Sequence, residues 1–474
     1  MSWQTFLLHL FTYGILLYSI ILLVCYLLIG AFSIMETRAY LHKNSFTDYR
    51  MLAQSTETPS MSILAPAYNE GPTIIENVRS LLSLHYHNLE VIIINDGSKD
   101  DSLERLIEVY SLYKADYFIN QCIKTKPVRG VYRSSNPVYR KLVVVDKENG
   151  GKADALNVGV NIAKSDYFVC IDADCVLEQD ALLKLAKPFL EATTQRVIAA
   201  GGVVRIANSC EIEGGRLVKV NLPKQFLPKI QTLEYIRAFL LSRMAWTKLN
   251  GLLLISGAFG AFDREIVIAC GGYSSKTVGE DMELVVRMRR YMEELEEPYK
   301  VAFIPDPLCW TEAPSTFRIL GRQRNRWARG TIETLRSHKK MFFNPRYGIL
   351  GMLSYPYWFF FEFLAPIIEF FGTLGLVYYC FKYAINWEAI LIMAGVICLG
   401  ILYSVFAIMM EVLTYHQYKQ KREILHLVLV AILEPFVFHP FVVWSAVVGN
   451  FDLIRKHNSW GEMTRQGFAQ NKQV

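Results

Sequence analysis

The sequence predicts an α/β domain inserted between transmembrane α-helices, a multi-pass membrane protein. Three observations carry the prediction. Apolar runs of strand length alternate with helix-like stretches between residues 61 and 171. The last of these runs, Tyr167–Ile171, ends in two carboxylates, Asp172 and Asp174, spaced i, i+2. Nearly uncharged apolar runs, each long enough to cross a bilayer, flank this middle part on both sides.

At 474 residues the chain exceeds one ordinary core, and its 52% hydrophobic share is concentrated at the ends. The run Phe6–Ile34 is longer than the apolar core of a signal peptide and lacks a small-residue cleavage site after it, so it reads as an anchor. Tyr347–Phe381, Trp387–Leu413 and Ile424–Ile454 are three further candidate spans. The expected division is an N-terminal anchor at 1–36, a linker at 37–60, a cytoplasmic α/β domain closing in an amphipathic interface helix at 61–335, membrane helices at 336–454 and a cytoplasmic tail at 455–474. Arg38, Lys43 and the many basic residues of the middle place residues 38–345 in the cytoplasm and the N-terminus outside. Nine scattered cysteines with no Cys-x-x-Cys pair argue against a disulfide or zinc framework.

Taken in order, strands are expected at Met61–Ala65, Glu90–Ile94, Leu142–Val145 and Tyr167–Ile171, with helices at Thr73–Leu84, Ser102–Tyr110 and Lys152–Ala163. This alternation implies a parallel sheet covered on both faces, with its ligands at the C-terminal edge. The four strand ends are polar: Ala67–Glu70, Asn95–Ser98, Asp146–Lys152 and Asp172–Asp174. Tyr68 offers a ring on which a nucleobase can stack, and Glu70 and Asp96 can accept from base or ribose. Gly150 and Gly151 permit close approach of a diphosphate, with Lys152 as a cation beside a helix N-terminus. Asp172 and Asp174 suit a hard divalent cation, Mg²⁺ or Mn²⁺. Ordinary capped turns, including one capping a helix near Glu178, are the alternative for any single loop; four such loops at one edge favour a pocket.

Farther on, Glu280 and Asp281 open a predicted helix, where a carboxylate can act as a general base or simply complement the helix dipole. Gln323–Trp327 lies in an amphipathic stretch, Thr316–Ser337. There Arg324 and Arg326 can meet diphosphate oxygens and Trp327 a sugar face, while contact with anionic headgroups is the other reading. Ser256–Gly260 reads as a small-residue loop, and Gln231–Lys248 as a helix to which no chemistry is assigned. The late apolar runs carry Trp358, Glu362, Glu369, Glu411, Glu434, His439 and Trp444, which either line a polar path or pair locally. Pro356, Pro366, Pro435 and Pro440 are expected to break those runs.

Pro66-Ala67-Tyr68-Asn69-Glu70, Asn95-Asp96-Gly97-Ser98, Asn149-Gly150-Gly151-Lys152, Asp172-Ala173-Asp174, Gly279-Glu280-Asp281 and Gln323-Arg324-Asn325-Arg326-Trp327 occur in the order found in processive family 2 glycosyltransferases. The chain resembles that group, which includes cellulose, chitin, hyaluronan and poly-N-acetylglucosamine synthases, over about residues 60–335. The resemblance implies a GT-A-type domain fused to helices that form a polymer channel. It implies that Tyr68, Glu70, Asp96, Lys152 and Asp172 bind the nucleotide sugar, Asp172 and Asp174 the metal, and that Asp281 is the general base beside Glu280. Gln323, Arg324, Arg326, Trp327, Ser256 and Gly257 fall to acceptor and diphosphate, and Trp460, Thr464 and Arg465 to a gating loop interrupted by extra residues. Asn95 departs from the family's usual Asp-Asp-Gly, and Val278-Gly279 from its Thr-Glu-Asp.

The function this resemblance implies is processive, inverting polymerisation of a UDP-sugar, with UDP-N-acetylglucosamine foremost, into a β-linked polysaccharide extruded across the plasma (inner) membrane. Transfer of one sugar to a lipid carrier and a catalytically inactive nucleotide-sensing receptor are the alternatives. The expected partners are the UDP-sugar, the growing polysaccharide, the lipid bilayer and an accessory or export subunit, with no nucleic acid.

Overall fold

The computed structural model describes residues 3–382 and 387–454. Its strands are β1 (Met61–Ala67), β2 (Leu89–Asn95), β3 (Leu112–Ala115), β4 (Val128–Ser134), β5 (Leu142–Lys147), β6 (Tyr167–Ile171), β7 (Val176–Leu177), β8 (Arg196–Ile206), β9 (Glu211–Glu213), β10 (Arg216–Lys219), β11 (Phe259–Asp263) and β12 (Tyr299–Thr311). Ten of them form one sheet in the order β3-β4-β5-β2-β1-β6-β11-β8-β12-β7; β9 and β10 make a separate hairpin.

The four strands legible in the sequence are the parallel centre of this sheet, β5-β2-β1-β6. Each is apolar along nearly its whole length because both faces are covered. Ile92, Ile93 and Ile94 of β2 and Val143, Val144 and Val145 of β5 are buried, and each such side chain contributes roughly 1.5–3 kcal/mol by leaving water. The expectation of a parallel sheet fails outside this centre. β4 runs antiparallel to β5, and residues 135–141 between them are too few for a crossover. β11 inserts antiparallel between β6 and β8, so the sheet is mixed. Glu178 does not begin a helix: its N–H donates to Leu308 O, 2.9 Å away, just after β7, and the next helix runs Ala181–Leu190.

Among the described residues, four helices are long and apolar enough to cross a membrane: Leu16–Asn44, Leu350–Tyr378, Ile390–Thr414 and Lys421–Leu453. The last belongs to a continuous helix, Lys421–Ile454, that passes through Pro435 and Pro440, so the predicted break is absent; packed membrane helices tolerate proline in this way. Around Pro356 the chain does change, from the π-helical turn Leu350–Ser354 through Tyr355–Tyr357 to a second π-helical turn, Trp358–Phe363.

Sheet domain and apolar helices meet along several elements, among them the helix Phe317–Ser337 and a segment made of the helix Phe226–Ile236, a π-helical turn at Arg237–Ser242 and the helix Arg243–Lys248. Within residues 226–248, Ile230, Leu233, Ile236 and Leu241 pack with Ile29, Ala407, Ile408, Val430 and Phe438 in one buried cluster. Ion pairs that cross the same boundary include Arg205 to Glu411 and Arg237 to Glu434, the latter through both guanidinium nitrogens at 2.7 and 2.8 Å. Glu411 and Glu434 therefore pair locally, as does Glu369 with His439 at 2.7 Å.

Candidate active site

The parallel strands deliver their polar ends to one edge, and β2 supplies the most constrained of them. Asp96 is buried; it pairs with the fully buried Lys147 at 2.5 Å and accepts from the N–H groups of Gly150 and Gly151 at 3.0 and 2.8 Å. One carboxylate thus sets the shape of the glycine loop. Gly97 has φ +68°, and a Cβ there would lie 2.9 Å from Asn149 N, so no other residue fits comfortably. Asn95 also has its reason. Its side-chain amide donates to Asp146 Oδ1 at 2.8 Å, and Arg129 reaches the same oxygen at 2.6 Å, so the carboxylate missing from position 95 is present at 146.

At β1, Tyr68 is 45% exposed, and Asn69, with φ +56°, is clamped to the neighbouring loop: its N–H donates to Ser98 Oγ at 3.0 Å and its side chain accepts from Lys99 N at 2.8 Å. Glu70 accepts from Thr73 Oγ1 at 3.1 Å.

Lys152 begins the helix after β5, and its ammonium lies 2.5 Å from Asp172, 3.3 Å from Gly257 O and 3.8 Å from Glu280. Burial opposes its charge, but Asp172 and Glu280 outweigh it and hold its pKa above the ordinary value. Burial raises the pKa of Glu280, Lys152 lowers it and Asp281 raises it again; the net direction is up. Asp281, in the first turn of the helix Glu280–Leu295, accepts from Gly257 N at 3.0 Å. The loop before that helix is pressed onto the helix Phe317–Ser337: a Cβ on Gly279 would sit 2.8 Å from Gly330 Cα, and Val278 N donates to Glu333 at 2.9 Å.

On that second helix, Arg324 pairs with Glu234 at 2.6 Å and lies 4.2 Å from the Trp327 ring centre, so it orients the indole. Gln323, Arg324, Arg326 and Trp327 share one cavity of about 800 Å³ with Lys152, Asp172, Asp174, Ser256, Gly257, Glu280 and Asp281. Tyr68, Glu70 and Asp96 stand on the adjoining loops rather than on that cavity's wall. Trp460, Thr464 and Arg465 lie outside the described residues.

A profile described as glycosyltransferase like family 2 matches residues 59–330, and one described as chitin synthase matches 275–473. The chain belongs to glycosyltransferase family 2. Poly-beta-1,6-N-acetyl-D-glucosamine synthase of Staphylococcus aureus (strain COL) is 30% identical over 280 residues, covering 59% of this chain and 56% of that one. The synthase of the same description from Staphylococcus epidermidis is 28% identical over 284 residues, 60% of this chain and 57% of its own. The chain therefore aligns with a little over half the length of these relatives. Among solved structures, the mannosyltransferase PcManGT from Pyrobaculum calidifontis, in complex with GDP-Man and Mn²⁺, aligns with a TM-score of 0.49 at 18% identity, covering 86% of this chain and 99% of that one.

The sheet of this family 2 glycosyltransferase is a GT-A-like mixed α/β domain with apolar helices on either side in sequence. Sequence reasoning missed one wall of its cavity. Tyr235, Phe239, Arg243 and Trp246, from the segment assigned no chemistry, all line it. Their spacing of four, four and three residues is a helical face, a signal hidden by the equally regular apolar face of Leu233, Ile236, Leu240 and Met244. From the membrane side come Trp358, Glu362, Phe363, Val442 and Ala446, so Glu362 alone of the four late acids named above lies on the wall.

Proposed function

We propose that the chain is a processive, inverting glycosyltransferase that polymerises UDP-N-acetylglucosamine into a β-linked polysaccharide and passes it across the membrane. The observation that carries this reading is the one cavity whose wall runs from Asp172, Asp174 and Lys152, past Asp281, to Glu362, Val442 and Ala446 of the apolar helices. A transferase that adds a single sugar has no need of a path from the reaction centre into membrane helices. The alignment with synthases of poly-beta-1,6-N-acetyl-D-glucosamine supports the choice of sugar.

In this reading, Tyr68, Glu70 and Asp96 form the nucleoside end of the donor site, with Asp96 acting through the glycine loop it holds. Asp281 takes the proton of the acceptor hydroxyl; the freed oxygen pair attacks the anomeric carbon from the face opposite the diphosphate, and the bond to the diphosphate oxygen breaks. Its hydrogen bond from Gly257 N keeps the carboxylate in position for that proton. Lys152 balances negative charge beside the departing group, and Trp327, steadied by Arg324, supplies a face for the acceptor sugar.

The donor set suits a hard cation. Asp172 and Asp174 bring carboxylate oxygens to the cavity wall, and no cluster of three or more His, Cys, Asp or Glu that could hold a metal occurs among the described residues, which leaves most of the coordination shell to diphosphate and water. When bound there, Mg²⁺ or Mn²⁺ neutralises charge developing on the diphosphate. Charge asymmetry supports a cytoplasmic catalytic domain at the inner membrane, with residues 61–335 as that domain and 336–454 as the channel helices. The test is UDP release by the purified, membrane-reconstituted chain against a panel of UDP-sugars, with Mg²⁺, with Mn²⁺ and with a chelator. Turnover confined to UDP-N-acetylglucosamine and abolished by the chelator is expected; turnover of another donor or persistence without metal contradicts the reading.

A further inference from the structure

The membrane-facing end of the cavity carries two opposite charges that the mechanism above does not use. Arg243 lines it without any ion pair among the described residues, and its Nη1 is buried with no hydrogen-bond partner. Its guanidinium carbon sits 3.6 Å from the centre of the Phe239 ring, which places the cation over an aromatic face. Burial pushes its pKa down to about 10, against the pull of Tyr235, Asp281 and Glu362. Glu362 lines the same cavity and likewise has no ion pair or hydrogen bond among the described residues. Three other arginines at this domain boundary are matched: Arg205 to Glu411, Arg237 to Glu434 and Arg324 to Glu234. A guanidinium nitrogen buried without a partner is costly unless a guest satisfies it, and Glu362 offers an acceptor on the same wall.

We propose that Arg243 and Glu362 form a specificity-determining acceptor subsite that reads the amide of an acetamido sugar already in the chain. The inference rests on the synthase reading above. A guanidinium only donates and a carboxylate only accepts, so the pair matches a group with a fixed acceptor and a fixed donor: the amide C=O meets Arg243 and the amide N–H meets Glu362. The acetyl methyl then finds apolar surface in Phe239 and Trp358, which line the same cavity. A sugar with a hydroxyl in place of the amide leaves that surface bare and the fixed polarity unused. The subsite thus selects an acceptor of the same class as the proposed donor.

The test uses the full chain in lipid vesicles and soluble β-linked oligosaccharide acceptors, one built of N-acetylglucosamine and one of glucose, with UDP release as the readout. The wild type is expected to favour the acetamido acceptor by about tenfold or more in kcat/KM, the discrimination that a hydrogen bond to a charged group supplies. Arg243→Met and Glu362→Gln should each collapse that ratio toward one while the KM for the donor sugar stays within about twofold; a merely structural role would raise the donor KM and leave the ratio standing. Glu362→Gln is nearly isosteric and serves if Arg243→Met fails to fold. No preference in the wild type, or an unchanged preference in the variants, overturns the subsite. Absence of UDP release from every donor and acceptor overturns the synthase reading instead.

Discussion

Asp281 and Gly257 are joined by a hydrogen bond of 3.0 Å from the glycine N–H to the carboxylate, and the carbonyl of the same glycine accepts from Lys152 at 3.3 Å. One small-residue turn therefore couples the candidate base to the cation beside Asp172. A Cβ on Gly257 would lie 3.1 Å from Asp281 Oδ2, so a side chain there would push the carboxylate back by a few tenths of an ångström. Asp281→Asn keeps the hydrogen bond in shape but cannot take a proton. It is expected to lower the rate of UDP release about 10²–10⁴-fold with an unchanged melting temperature, measured by coupled assay and by intrinsic fluorescence in detergent.

Asn95→Asp tests the exchange of carboxylate between positions 95 and 146. The new acid would face Asp146 where a 2.8 Å hydrogen bond now stands, in a buried position. Two buried carboxylates raise each other's folded-state pKa, so the penalty is absent at acid pH, where both are neutral, and grows as pH rises. A loss of about 1–3 kcal/mol at pH 7, shrinking toward pH 4, is expected in denaturation followed by fluorescence.

Gly330→Ala tests the contact that seats the Glu280 helix. The glycines at 279 and 330 meet backbone to backbone, with nothing flexible to move aside. Overpacking of about 1–3 kcal/mol is expected, together with a fall in kcat, because Asp281 stands in the first turn of the helix that follows the displaced loop. A variant as stable and as active as the wild type would contradict that role.

Much of this was legible because strand ends announce themselves. Asp172, Asp174 and the loops at 68–70, 95–98 and 149–152 each follow an apolar run whose period and length were clear. β11 was not legible, because its first residues, Phe259 and Gly260, belong to the stretch Ser256–Gly260 that reads as a small-residue loop until β6 and β8 close on the strand from either side. Arg243 escaped for a different reason. An arginine in a helix of apolar periodicity reads as part of a domain or membrane face, and only the π-helical turn at Arg237–Ser242 and the packing of its neighbours bring Arg243 to the cavity.

Glu280 gives the expected pH dependence. Its folded-state pKa is raised from 4.5, chiefly by burial, so its stabilising protonated form is fully present below that value and is lost as pH rises through the raised one. Glu280→Gln should therefore flatten the decline in melting temperature above pH 4.5, with the variant gaining on the wild type as pH increases. A decline of unchanged slope would rule this contribution out.

Chain length as a function of turnover tests the central claim most directly. With purified protein in vesicles, UDP-N-acetylglucosamine and acceptor in large excess over enzyme, the product is sized while less than about one acceptor in ten has been used. Long polymer at that early stage, with most acceptor untouched and the polymer protected inside the vesicles from added glycosidase, is the predicted result. Uniform one-sugar products, or polymer fully open to the enzyme's own side, would contradict processive synthesis coupled to export.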